Sequence, residues 1–270
     1  MALAVRNRLS AWADVQWLEA TASTNTDLLT QARAEQRLPR LRGTHVQHQG
    51  RGRANRNFRT APGAALMFSC AFEVRLPVAA LPTLSVMLGL VACETLAGRL
   101  SQGHRLGLKW PNDLQWEQAK LAGILMESAT SGTSLPSRLV IGMGLNLTDA
   151  AELSRNLGRA VADWQATGNQ EPPAELCAAV ASAWHAELRR AESHWQPGLG
   201  LPDLPERYAV HDVLAGCPVQ VQDQGVVLMQ GVAAGVAPDG RLLLRTDTGI
   251  QPVMAGDVSI RPSSLPMAMP

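Results

Sequence analysis

The 270-residue chain predicts an α/β protein of the α+β type, with a small all-β unit after it. Strand and helix patterns alternate up to about residue 192, a proline- and glycine-rich stretch covers 196–218, and only short strands separated by turn residues follow Cys217. These three observations divide the chain into a larger unit over 1–212 and a smaller one over 213–270.

Residues 14–19 alternate polar and apolar side chains, as a half-buried strand does. Ser23-Thr24-Asn25 opens a helix. Thr24 with Asp27 has the form of a capping box, and the helix is expected to run to about Arg37, before Pro39. Residues 43–49 read as a strand entering a glycine-arginine loop, and Ala64 to Phe72 as a continuous apolar strand. The helical spacing over 82–100, apolar on nearly all sides and containing Gly89, predicts a central helix packed on a sheet. Three short strands follow at 105–110, 121–128 and 138–146, with turns at Pro111-Asn112-Asp113 and Ser131-Gly132. A second long helix, 173–192, is opened by Pro172-Pro173 and ends in Arg189-Arg190, where cations suit a helix C-terminus. Residues 196–218 read as a linker. Beyond them come Pro-Val-Gln-Val-Gln, Val-Val-Leu-Met-Gln-Gly-Val-Ala, Leu-Leu-Leu-Arg-Thr and Gly-Asp-Val-Ser-Ile-Arg. Turn residues at 223–225, 238–240 and 248–249 separate these strands, as in a small β-barrel.

A hydrophobic fraction of 46% with 17% charged residues is that of a soluble globular protein, and 270 residues suffice for a core without staples. The net charge of +1 excludes a strongly basic nucleic-acid binder. Cys70, Cys93, Cys177 and Cys217 form no Cys-x-x-Cys pair, and the six histidines lack metal-ligand spacing, so neither a disulfide framework nor a structural zinc is expected. There is no apolar run of signal-peptide type, and none of the about 18 residues a membrane span needs, which makes the cytoplasm the expected location.

The stretch Gly50-Arg51-Gly52-Arg53-Ala54-Asn55-Arg56-Asn57-Phe58 carries the most chemistry. Glycines let backbone N–H groups approach anionic oxygens, guanidinium groups add forked donors of fixed charge, and a ring can cover a flat ligand. Downstream lie Lys109-Trp110-Pro111-Asn112-Asp113-Leu114, Lys120-Leu121-Ala122-Gly123-Ile124-Leu125-Met126-Glu127 and Gly142-Met143-Gly144-Leu145-Asn146; upstream lies Ser23-Thr24-Asn25. Lys109 and Lys120 are the only lysines in the chain, and both fall inside these motifs.

In order and spacing the five motifs resemble the catalytic core of the biotin protein ligases, from about Trp17 to about Arg261. The resemblance implies formation of biotinyl-5′-adenylate from biotin and ATP with Mg²⁺, then transfer of biotin to a lysine of a biotin carboxyl carrier domain. It also implies a class II synthetase-like mixed sheet with flanking helices, largely antiparallel, and an SH3-like β-barrel from roughly 213.

By the same resemblance Lys120 and Arg53 are the catalytic residues. Ser23, Thr24, Asn25, Gln47, Gly50, Arg51, Gly52, Arg53 and Lys120 contact biotin; Arg56, Phe58, Asn112 and Asn146 contact the nucleotide; and Asp113 helps hold the magnesium. Arg261 matches a position near the nucleotide side. The chain departs from the pattern at Ala54, Asn55 and Phe58, where arginine, glycine and tryptophan are common. The first core strand begins near residue 14, so no N-terminal DNA-binding domain and no operator binding are expected. The oligomeric state stays open. Two alternatives remain: a lipoate- or octanoate-transferring ligase of the same fold, and a nucleic-acid binding module built on the arginine loop.

Overall fold

The computed structural model describes residues 1–52, 58, 60–130, 135–256 and 258–262. A seven-stranded sheet organises the larger part of the chain. Its strands are β1 (Asp14–Thr21), β2 (Arg40–Gln47), β3 (Ala65–Val74), β4 (Leu106–Lys109), β5 (Asp113–Trp116), β6 (Ala119–Ser128) and β7 (Ser137–Asn146), in the order β1-β2-β3-β7-β6-β5-β4. β1 and β2 are parallel; every other pairing is antiparallel, so the sheet is mixed.

The helices are α1 (Ala2–Arg8), α2 (Thr24–Arg33), α3 (Leu81–Ala97), α4 (Ala150–Leu157), α5 (Pro173–His194) and α6 (Leu204–Ala209). Because side chains alternate across a strand, the sheet has two different faces. Leu66, Phe68, Cys70 and Phe72 of β3, with Leu139, Ile141, Met143 and Leu145 of β7, point into the main core with α3 and α5. On the other face Ala71 and Val140 pack under Leu28, Leu29 and Ala32 of α2. The residues in phase with them are small or polar: Ser69 on β3, Gly142, Gly144 and Asn146 on β7, Gly123 on β6. That face is left bare beyond the N-terminus of α2, and there a ligand fits.

α3 is buried along most of its length and packs chiefly on α5. With the preceding turn, Val78–Ala97 is long and apolar enough to cross a membrane by length and composition, contrary to the expectation from apolar runs. Its burial against the sheet and α5 explains that apolarity.

α2 begins at Thr24 as expected but differs in its cap and in its C-terminal limit. Ser23 is the N-cap, its hydroxyl accepting from the Thr26 N–H, while Asp27 accepts from the Thr21 hydroxyl at 2.8 Å; the Thr24–Asp27 box is not formed. The helix stops at Arg33 because Glu35 takes a φ of 55°, a left-handed backbone that cannot continue it. α1, α4, α6 and β5 were not anticipated: each is four to eight residues long, too short for a periodic signal. The expected linker 196–218 contains α6, whose Tyr208 is wholly buried and donates to the Leu108 carbonyl.

The C-terminal strands β8 (Pro218–Asp223), β9 (Val226–Val236), β10 (Leu242–Thr246), β11 (Gly249–Val253) and β12 (Ser259–Pro262) form one antiparallel sheet, β11-β10-β9-β8-β12. β11 is not among the strands expected from the sequence. Among the described residues no ladder joins β11 to β12, so the small antiparallel sheet expected here does not close into a barrel. Trp110 donates to the Gly240 carbonyl at 2.9 Å, and one continuous core runs from Val5 to Ile260.

Candidate functional site

A cavity of about 410 Å³ opens on the bare face of the seven-stranded sheet. Its floor follows β7, where Gly142, Gly144 and Asn146 face the same way along on the order of 13 Å of strand. Neighbouring side chains approach both glycines closely. A Cβ on Gly142 would lie 2.2 Å from Asn25 Oδ1, and one on Gly144 2.7 Å from the Phe58 ring.

One end of the cavity is neutral and polar. Ser23, Thr24 and Asn25, at the N-terminus of α2, meet Gln47 at the end of β2. The Thr24 backbone N–H donates to Gln47 Oε1 at 2.8 Å. The Thr24 and Ser69 hydroxyls lie 2.7 Å apart, and Ser69 donates to Asn25 Oδ1 at 2.5 Å. The Asn25 amide donates in turn to Glu127 at 2.7 Å. Arg51 lines this end too, with its guanidinium 3.1 Å from the Thr26 hydroxyl and 3.7 Å from Glu127.

The other end is cationic. Lys120 is fixed at its base, because its backbone N–H donates to the Ala160 carbonyl at 3.2 Å and its carbonyl accepts from Ala162 at 2.9 Å. Its ammonium lies 2.6 Å from Asp113 Oδ1, over Gly123. Lys109, Arg159 and Arg261 also line the cavity, and among the described residues none of the three has a carboxylate within ion-pair distance. The Lys109 ammonium is held below the ordinary lysine range, first by burial; Asp113 opposes the shift, and Arg261, Lys120 and Arg159 add to it. Asp113 is the sole acidic side chain among the described residues that line the cavity.

Asn146 is buried and its amide donates to the Ala162 carbonyl at 3.0 Å and to the Lys120 carbonyl at 3.3 Å, tying the floor to the base of Lys120. Asn112 donates to the Ile124 carbonyl. Phe58 closes the glycine-arginine loop, its N–H donating to the Gly50 carbonyl at 2.8 Å and its ring lying over Gly144, midway between the two ends. Leu153 and Leu157 of α4 cover the rim; Asp163 holds the first turn of that helix by accepting from the Ala150 N–H at 2.9 Å.

The structure therefore gathers Ser23, Thr24, Asn25, Gln47, Arg51, Gly52, Phe58, Asn112, Asp113, Lys120 and Asn146 around one cavity, with Arg261. Gly50 does not line it. Arg53 and Arg56 lie outside the described residues. Ser69, Lys109, Glu127 and Arg159 were given no role from sequence. Lys109 was marked by the rarity of lysine and Ser69 by its place in an apolar strand; nothing marked Arg159.

Residues 17–146 match the model of the Biotin/lipoate A/B protein ligase family, and residues 216–261 that of the Biotin protein ligase C terminal domain. The chain is 31% identical over 253 residues to the biotin--[acetyl-CoA-carboxylase] ligase of Mycobacterium tuberculosis, covering 92% of this chain and 90% of that one. The chain belongs to the biotin protein ligases. This ligase is also 30% identical to the bifunctional ligase/repressor BirA of Escherichia coli over 217 residues, which is 80% of this chain but 64% of that protein's length. Its fold is that of the biotin protein ligase from Aquifex aeolicus solved in complex with biotin and ATP, with a TM-score of 0.73, 23% identity, and 93% and 100% of the two chains covered.

Proposed function

We infer that this ligase forms biotinyl-5′-adenylate from biotin and ATP and passes the biotinyl group to the lysine amine of a carrier domain. The observation that carries the reading is the position of Lys120: its ammonium lies over Gly123, the β6 residue paired with Gly144 at the middle of the floor, where the cationic end meets the neutral polar end. In the first step the biotin carboxylate attacks the α-phosphorus, the bond to the β-phosphate oxygen breaks, and pyrophosphate leaves. Two anionic groups must meet, and a fixed ammonium between them stabilises the charge that develops. In the second step the carrier lysine attacks the acyl carbon, AMP leaves, and the amine loses a proton.

The neutral end suits a ureido ring, which needs both donors and acceptors. The dithiolane of lipoate would leave the groups of Ser23, Thr24, Asn25 and Gln47 unpaired, which favours biotin over the alternative ligase. Arg51 and Gly52 belong to the biotin end, with the undescribed Arg53 of the same loop as the second catalytic cation. Lys109, Arg159 and Arg261 form the triphosphate end beside Asn112 and Asn146, and the Phe58 ring separates the two halves. For magnesium the donor set fits an ion carried mainly by phosphate oxygens and water, since Asp113 is a single carboxylate and already shares an oxygen with Lys120. We take the partner to be a biotin carboxyl carrier domain of acetyl-CoA carboxylase or a related carboxylase, in the cytoplasm, and place the domain boundary near residue 213.

Incorporation of labelled biotin into a purified carrier domain with ATP and Mg²⁺ tests the reading. Transfer by the parent and a loss of about 10²-fold in Lys120→Ala is the expected result. A parent that binds lipoate and not biotin would overturn it.

A further inference from the structure

The polar end of the cavity is one chain of hydrogen bonds whose direction a single carboxylate decides. We propose that Glu127 is a positioning residue that sets the polarity of the head-group site through Asn25, Ser69 and Thr24. This rests on the biotin reading above.

A carboxylate only accepts, so Glu127 Oε2, at 2.7 Å, must face the Asn25 NH₂ group; the Leu125 carbonyl, 3.5 Å from the same nitrogen, is the weaker acceptor, and Arg51 lies 3.7 Å from the other oxygen of Glu127. Asn25 Oδ1 then faces Ser69, whose one hydrogen is committed to it at 2.5 Å. The 2.7 Å contact between the Ser69 and Thr24 oxygens still needs a hydrogen, and Thr24 supplies it in preference to the more distant Gln47 Oε1, at 3.2 Å. What remains of the Thr24 hydroxyl is its lone pairs. Gln47 is oriented separately: its Oε1 accepts from the Thr24 backbone N–H, and among the described residues its NH₂ meets no stronger acceptor than the Met67 sulfur at 3.5 Å. The site thus offers an acceptor at Thr24 and a donor at Gln47. That is the pairing a cyclic urea requires, and a substituent 102 residues from Asn25 in sequence fixes it.

Replacing Glu127 by glutamine lets the chain invert. Asn25 can turn over, Ser69 can donate to Thr24, and the Thr24 hydrogen is released toward the ligand. The consequence is a change in which ring is accepted as well as weaker binding. The two carbamate analogues of biotin, in which a ring oxygen replaces one or the other ring N–H, read this directly because they swap a donor for an acceptor at constant shape.

Calorimetric titration of biotin and both carbamates into the full chain provides the test, with KM for ATP measured in parallel. For Glu127→Gln the biotin Kd should rise about tenfold and the preference for biotin over at least one carbamate should fall by a similar factor, with KM for ATP unchanged. Ser69→Ala, which cuts the relay at another residue, should narrow the preference in the same direction and carries the test if the glutamine variant does not fold. Glu127→Asp keeps an acceptor-only group and should keep the preference. An unaltered preference in both Glu127→Gln and Ser69→Ala would overturn the proposal, as would an equal loss for biotin, carbamates and ATP. A parent chain that binds no biotin would overturn the functional reading itself, a different result from biotin binding with an unmoved preference.

Discussion

Lys109 is a cation whose burial works against the fold and whose position on the cavity wall suits the triphosphate proposed above. Its folded-state pKa lies below the ordinary lysine value of 10.5, so the unfolded chain holds the proton more tightly. The resulting penalty is fully present below the folded-state pKa and is relieved as pH rises through it toward 10.5. Lys109→Met should therefore stabilise the free protein at neutral pH, by a margin that shrinks as pH approaches 10.5 in denaturant titrations, while KM for ATP rises. Arg159 is exposed and lies on the short segment after α4, so Arg159→Ala should fold normally. It should raise KM for ATP and weaken product inhibition by pyrophosphate by about three- to tenfold, a typical effect for one charge-assisted contact. Transfer from preformed biotinyl-5′-adenylate should be unaffected.

At the scale of the element, β7 does two jobs with alternating residues. Its odd positions from Leu139 to Leu145 are core and its even positions from Gly142 to Asn146 are floor, and the two glycines of the floor tolerate change differently. The obstacle to a methyl at Gly144 is the far end of the Phe58 ring, which can tilt; the obstacle at Gly142 is Asn25 Oδ1, held by Ser69 and Glu127. Gly142→Ala should cost about 1–3 kcal/mol of biotin binding and Gly144→Ala much less, by calorimetry. In α5, His185 stacks on Phe72 beside Trp12, and burial and Arg189 push its pKa down while Glu192 opposes. The unfolded state then binds the proton first, so the contribution of His185 is present above pH 6.5 and is lost as pH falls through the lowered value. His185→Phe should flatten the stability profile on the acid side.

At the scale of the whole molecule, the C-terminal sheet completes the cavity. Ser259, Ile260 and Arg261 line it from β12, and the Trp110–Gly240 bond fastens that sheet beside the Lys109–Asp113 turn. Gly89 of α3 lets the helix approach the same turn, since a Cβ there would meet the Pro111 carbonyl at 3.2 Å. Trp110→Phe removes the donor and leaves the Gly240 carbonyl to find another. It should destabilise the chain by about 1–2 kcal/mol and raise KM for ATP more than KM for biotin, because the loosened strand carries Arg261. Equal effects on the two constants would separate the bond from the nucleotide end.

The sequence alone determined the long periodic elements, the alternation of strands and helices, the all-β C-terminus and the five motifs that gather at the cavity. Those features are local: a helix face, an apolar strand or a glycine-rich loop is written in residues close together in the chain. Tertiary structure decided what depends on distant partners. The end of α2 at Arg33 follows from backbone angles, and the open C-terminal sheet from which strands found neighbours. Tyr208 in the expected linker became a core residue by reaching Leu108. Lys109, Arg159 and Arg261 became one charged wall although 50 and 102 residues separate successive members, and Glu127 came to face Asn25 only when β6 was laid beside β7. Side-chain chemistry is legible one residue at a time; the partner that gives it a direction is supplied by the fold.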